Sequence, residues 1–181
     1  MRRAFISAVA TLALVASAAA QVGRPSEYQV KAVYLFNFSR FVDWPQQLST
    51  DSAFAICVLG RDPFGAALDA ALAGESVGGK SVVARRVSQA EEAAGCRIVY
   101  ISTSEEGRLK EILAVFDRAS MLTVSDIPRF SQRGGMIQFV LQGDRVRFEV
   151  NLTSAAGAGL RLSADLLKVA TAVRRVAQAG S

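Results

Sequence analysis

Three apolar stretches of strand length constrain this chain more than any other feature. They are "SAFAICVLG" at residues 52–60, "RIVYIS" at 97–102 and "MLTVSD" at 121–126. Each is short, bounded by turn or capping residues and rich in small or β-branched side chains. That marks a strand covered on both faces rather than a helix or a half-wet strand. Helical patterns separate them. "PFGAALDAALA" follows the first, with Asp62 and Pro63 read as N-cap and first-turn proline, and "EEGRLKEILAVFDR" follows the second, with Ser104 read as its cap. Between these, "SVVARRV" reads as a strand and "SQAEEAAG" as a short helix. Strand and helix in alternation predict an α/β fold, a mostly parallel sheet flanked by helices.

Past "IPRFSQRGG" the rhythm changes. "MIQFVLQGDRVRFEV" sets Val146, Phe148 and Val150 against Arg145, Arg147 and Glu149 around a Gly143-Asp144 turn. This is the period-2 signature of a C-terminal antiparallel hairpin with one wet face. Residues 151–162 read as irregular, and Ser163 as the cap of a last helix, "ADLLKVATAVRRV". Upstream, "YQVKAVYLFNFSRFV" (28–42) is a helix whose apolar arc is expected to hold Val30, Tyr34, Leu35, Phe38, Phe41 and Val42. Phe36 falls outside that arc and Trp44 at the helix exit, so both, with Arg40, are candidate contact residues for a protein partner.

The first twenty residues stand apart. "MRR", an apolar run and an Ala18-x-Ala20 site form an export signal cleaved near Ala20. The remainder, 21–181, is expected to be a single domain. Without Arg2 and Arg3 the chain carries 19 basic and 16 acidic residues, too even a balance to suggest nucleic acid. The compartment permits disulfides. Cys57 and Cys96 sit in or beside two of the buried strand runs, where they form either a bridge or two buried thiols, with export favouring the bridge.

Histidine is missing from the whole sequence, which removes the commonest general base, zinc ligand and partner for a nucleophile. Two cysteines this far apart do not make a metal site, and no cofactor motif is found. "GESVGGKSVV" matches G-x-x-x-x-G-K-S through Gly74, Gly79, Lys80 and Ser81. A phosphate loop needs strand, glycines, then helix, whereas here a helical pattern precedes and a strand pattern follows. Gly74 therefore reads as a helix terminator. The pair Gly134-Gly135 reads as a tight turn, with an anion nest beside Arg129 and Arg133 as the sharper alternative. Enzymatic chemistry would have to come from dispersed carboxylates such as Asp62, Asp126 or Glu149.

The blocks "VKAVYLFNFSRFVDWP", "ICVLGRDPFG", "LTVSDI", "GGMIQF", "VRFEVNL" and "AGLRLSADLLKVA", taken together and in order, resemble the YfiR family of bacterial periplasmic proteins over about residues 27–176. The resemblance implies a small α/β protein, not an enzyme and without cofactors. It would repress an inner-membrane diguanylate cyclase by binding that enzyme's periplasmic sensor region, limiting cyclic-di-GMP signalling and biofilm formation. It also implies a homodimer, and an outer-membrane lipoprotein as a second partner. Cys57 and Cys96 fall where the family's first cysteine pair lies. The second pair that some members carry has no counterpart between Ser131 and Gln138, which leaves one bridge with a structural role. The alternative reading is a periplasmic small-molecule-binding sensor module without catalytic activity. Its crevice would lie at the strand ends near Gly60-Arg61-Asp62 and Ser102 to Ser104.

Overall fold

The structure is a computed structural model that describes residues 24–44, 53–117 and 119–175. The expected signal peptide lies outside these residues. The three apolar runs become β2 (Ala53–Leu59), β5 (Cys96–Ile101) and β6 (Leu122–Ser125). They lie parallel and adjacent, buried almost throughout. β4 (Lys80–Val87) runs parallel on the other side of β2, and β3 (Ser76–Val77) caps that edge antiparallel to it. Beyond β6 come β7 (Ile137–Gln142), parallel to it, and β8 (Arg145–Asn151), antiparallel to β7. The sheet order is β10-β8-β7-β6-β5-β2-β4-β3. Its mostly parallel body and C-terminal antiparallel pair match the expected fold class.

Helices close both faces. Against one pack α1 (Glu27–Arg40), α2 (Ala66–Leu72), α4 (Leu152–Gly157) and α5 (Ala164–Val169), over a core that includes Phe38, Ile56, Ile98, Val124, Phe139 and Phe148. Against the other packs α3 (Leu109–Val115), with tight 3-10 turns at Ala90–Ala93 and Phe130–Gln132, over Cys57, Leu59, Val99, Ile101 and Ile127. Cys57 and Cys96 form a disulfide between neighbouring strands, Cα atoms 6.0 Å apart and both side chains buried. A two-stranded ladder of β1 (Val42–Asp43) and β9 (Arg161–Leu162) ties the end of α1 to the start of α5.

Four local expectations are corrected. Asp62 does not cap α2. Its carboxylate turns back to accept from Phe64 N at 2.7 Å, and the helix starts only after Gly65. Ser102, not Ser104, caps the next helical segment, a 3-10 turn over Thr103–Arg108 that runs into α3. The stretch read as irregular contains α4, capped by the Asn151 side chain accepting from Ser154 N at 3.1 Å, and β9. The last helix stops at Val169. Ala170 is extended, Thr171 donates through both N and Oγ1 to Phe148 O, and the strand β10 (Ala172–Arg174) adds to the open edge of β8. That unpaired edge, together with the extended preference of Thr171 and Val173, outweighs a helical pattern read from one sequence.

The phosphate-loop pattern resolves as expected. Gly74, with φ +77, follows the end of α2, and Gly78-Gly79 turn the β3–β4 hairpin, so Lys80 and Ser81 lie within a strand. Gly134-Gly135 is not an anion nest. Gly135 N donates to Phe130 O at 3.0 Å, and Arg133 pairs with Glu106 at 3.0 Å. A Cβ on Gly135 would lie 2.1 Å from the Phe130 ring, so glycine is required there by close approach.

Candidate functional site

In a doubly wound sheet the ligand crevice lies past the strand carboxyl ends, where successive strands depart in opposite directions. Here that point lies between β2 and β5, because β4 lies on one side of β2 and β5 on the other. The loops there are locked to each other. Ser102 N donates to Leu59 O at 3.0 Å and Arg61 N to Ser104 Oγ at 3.0 Å. Ser104 Oγ donates to Glu105 Oε1, and Arg108 holds Glu105 Oε2 at 2.5 Å. A Cβ on Gly60 would stand 2.5 Å from both Ser104 Oγ and Glu105 Oε1, so these two side chains pack directly on the glycine.

One strand further on, Asp126 follows β6 and meets a buried cation. Lys31, on α1, is 2% exposed, and its Nζ lies 2.7 Å from Asp126 Oδ2 while also bonding Glu27 Oε1. Tyr100 OH donates to Asp126 Oδ1 at 2.6 Å and Tyr28 OH to Oδ2 at 3.1 Å. The ammonium also stands 4.6 Å from the centre of the Tyr28 ring. Burial works against charge on both partners. Yet hydrogen bonds from Lys31, Tyr100 and Tyr28 hold Asp126 below the usual carboxylate range, and those to Asp126 and Glu27 raise Lys31 above its ordinary value. Burial, then the Asp126 charge, pushes the Tyr100 hydroxyl far up, so it remains a donor. The acid at the mouth of the crevice is thus neutralised from within.

The other carboxylates are equally committed. Asp62 Oδ2 accepts from Arg86 Nε at 2.9 Å, and the same guanidinium is bidentate on Asp69, with both contacts at 2.7 Å. Those hydrogen bonds, chiefly, lower the Asp69 pKa. Glu149 accepts from Ser131 Oγ at 2.9 Å and faces Arg174 at 3.6 Å. Asp62, Asp126 and Glu149 share no partner, so the fold does not assemble them into an acid–base pair. Among the described residues no group of three or more Cys, Asp and Glu side chains is placed to hold a metal ion.

The three candidate contact residues sit around the exit of α1. Phe36 is 6% exposed and belongs to the core, which corrects its reading as an exposed aromatic. The buried face of α1 runs through Lys31, Ala32, Leu35, Phe36, Phe38 and Ser39, turned from the expected arc, and it brings Lys31 against Asp126. Val33 and Phe41 are left facing water, 50% and 39% exposed. Arg40 is exposed, its guanidinium 5.7 Å from the Phe36 ring that it covers. Trp44 is half-buried, edge-on to Phe54 with ring centres 5.4 Å apart, and its Nε1 donates to Ser39 O at 3.2 Å. Sequence reading missed Lys31, which sits 95 positions from its partner. The one signal was the acid closing the "LTVSD" strand, a buried charge in need of a cation.

The fold is thus an α/β domain whose strand-end polar groups bond one another. The chain matches the YfiR/HmsC-like family over residues 28–171 and belongs to that family, whose members are regulators rather than catalysts. Two solved structures share the fold. One is a conserved domain protein from Vibrio cholerae O1 biovar El Tor (11% identity, TM-score 0.57, 82% of this chain and 60% of that one). The other is the ABC domain in complex with L-Trp from Streptococcus pneumoniae (12% identity, TM-score 0.52, 81% and 60%). The chain thus spans 60% of the length of each. No helix among the described residues is long and apolar enough to cross a membrane.

Proposed function

We propose that this protein is a periplasmic regulatory binding protein that represses an inner-membrane diguanylate cyclase, restraining cyclic-di-GMP signalling and biofilm formation. Residues 1–20 direct export, and residues 21–181 act as one YfiR-like domain. Membership of the YfiR/HmsC-like family over residues 28–171 is the observation that carries this reading. The committed carboxylates support it, since each is held by a partner of the protein's own.

Repression works by differential affinity: the protein binds the sensor conformation in which the cyclase is inactive, and shifts the population by that difference alone. Arg40 and Trp44, at the exposed end of α1, are the contact residues, and Phe36 beneath Arg40 supports the guanidinium. The protein acts as a homodimer, and an outer-membrane lipoprotein competes for it. Immobilised protein should retain the periplasmic region of its cognate cyclase, and deletion should raise cellular cyclic-di-GMP. No retention together with unchanged cyclic-di-GMP would sink the proposal.

A further inference from the structure

We infer that β10 is a detachable strap: residues 171–174 leave the sheet as a unit while the other strands stay folded, and each opening bares the hydrogen-bonding edge of β8. This goes beyond the regulatory reading above and is independent of it. Among the described strands, β10 alone contributes no side chain to either apolar core. Even the two-residue strands do, since Val42 of β1, Val77 of β3 and Leu162 of β9 all pack there. Ala170 is the last side chain packed on the core, which places the start of the strap just after it. Val173 is 38% exposed, and Val169, ahead of the strand, 60%. Burial of apolar surface is the main force that fastens a strand to a domain, and β10 has almost none.

What holds β10 is polar and one-sided. It lies at the end of the sheet and pairs with β8 alone. Thr171 donates through N and Oγ1 to one acceptor, Phe148 O, at 2.9 and 3.0 Å. A short parallel register follows, with Ala172 beside Glu149, Val173 beside Val150 and Arg174 beside Asn151. Arg174 reaches back to Glu149 at 3.6 Å, beyond hydrogen-bond distance. Its Nε, shielded from water, has no hydrogen-bond partner among the described residues. Hydrogen bonds exchanged for bonds to water, and half-exposed ion pairs, each add little net stability.

β8 does not depend on the strap. It pairs with β7 from Ile137 beside Val150 to Gln142 beside Arg145, and it sinks Phe148 and Val150 into the core. Ser131 holds its polar side chains, donating through Oγ to Glu149 at 2.9 Å and accepting at its carbonyl from Asn151 Nδ2 at 2.8 Å. Asn151 N donates to Met136 O, on the β7 side, whereas Phe148 O faces β10. Strand alternation therefore turns the Val150 N–H toward β10. Opening frees Phe148 O and the Val150 N–H together and leaves the core beneath them intact.

The test is native-state hydrogen exchange of the purified full chain, followed amide by amide by NMR. Thr171, Val173 and Val150 should share one protection factor, about a hundredfold or more below that of Val99 on β5. Low urea should leave theirs almost unchanged while it lowers that of Val99, because opening the strap exposes little surface. Thr171→Pro deletes both bonds to Phe148 O and should speed exchange at Val173 and Val150 by about tenfold or more, with Val99 unchanged. Thr171→Val, which deletes only the Oγ1 bond, should speed both by about threefold. Equal protection of Val150, Val173 and Val99 in the wild type overturns the inference. So does a Thr171→Pro variant in which Val99 accelerates by the same factor, since β10 would then belong to the cooperative core. A Val150 amide as protected as that of Val99 beside a fast Val173 also overturns it, because fraying would not bare the β8 edge.

Discussion

Replacing Asp126 by Asn and Lys31 by Met, singly and together, tests whether α1 is fastened to the sheet by a buried charge. The contact is 2.7 Å between Nζ and Oδ2, with Lys31 essentially sealed from water. At an effective dielectric near 20 that attraction is about 6 kcal/mol. Desolvating the two ions costs several kcal/mol each, so the intact pair adds little net stability. Breaking it from one side is different. Asp126→Asn leaves a buried ammonium with only Glu27 for charge, and should destabilise by about 3 kcal/mol. For a chain of this size that lowers Tm by about 6–12 °C. Lys31→Met leaves a carboxylate still accepting from Tyr28 and Tyr100, and should cost about 2 kcal/mol. In the double variant no charge is stranded, so the loss should fall well short of the sum, with a coupling of about 2 kcal/mol. The pH dependence carries a second signature. The depressed Asp126 pKa gives stability that is present above the unfolded value near 4 and lost as pH falls through the folded value. Lys31, raised, gives stability that is complete below about 10.4 and lost only as pH rises through its folded value. Urea titrations from pH 2 to 7 should therefore show a shallower acid limb in Asp126→Asn. Additive single losses, or singles within about 0.5 kcal/mol of wild type with an unchanged acid limb, would refute the argument.

Three further outcomes follow from particular contacts. Removing the bridge with Cys57→Ala and Cys96→Ala frees a 39-residue separation and should cost about 4 kcal/mol on the chain-entropy account, read as a shift in urea midpoint. Because both sulfurs are buried, dithiothreitol should reduce the bridge in the native protein only as fast as the protein unfolds, as thiol-alkylation mass spectrometry would reveal. Gly135→Ala places a methyl 2.1 Å from the Phe130 ring and should destabilise by about 2–3 kcal/mol; Phe130→Leu in the same chain should recover part of that loss in thermal melts. Lys80→Ala should change stability by less than about 1 kcal/mol, and calorimetry with ATP should give no binding heat to either form, because Lys80 opens a strand rather than a helix.

The parallel body of the sheet was legible because its signal is local. Ala53–Leu59, Cys96–Ile101 and Leu122–Ser125 are apolar at nearly every position, and only a strand covered on both faces tolerates that. The hairpin was legible for the opposite reason, a strict alternation around Gly143-Asp144. What escaped depended on distant partners. Residues 172–174 look helical by themselves and become β10 because Phe148 offers an unpaired carbonyl 23 positions away from Thr171. Lys31 is buried against Asp126, a partner that no periodicity within residues 27–40 encodes. Taken alone, the apolar arc of residues 28–42 places Phe41 inside and Lys31 outside, whereas Lys31 is 2% and Phe41 39% exposed.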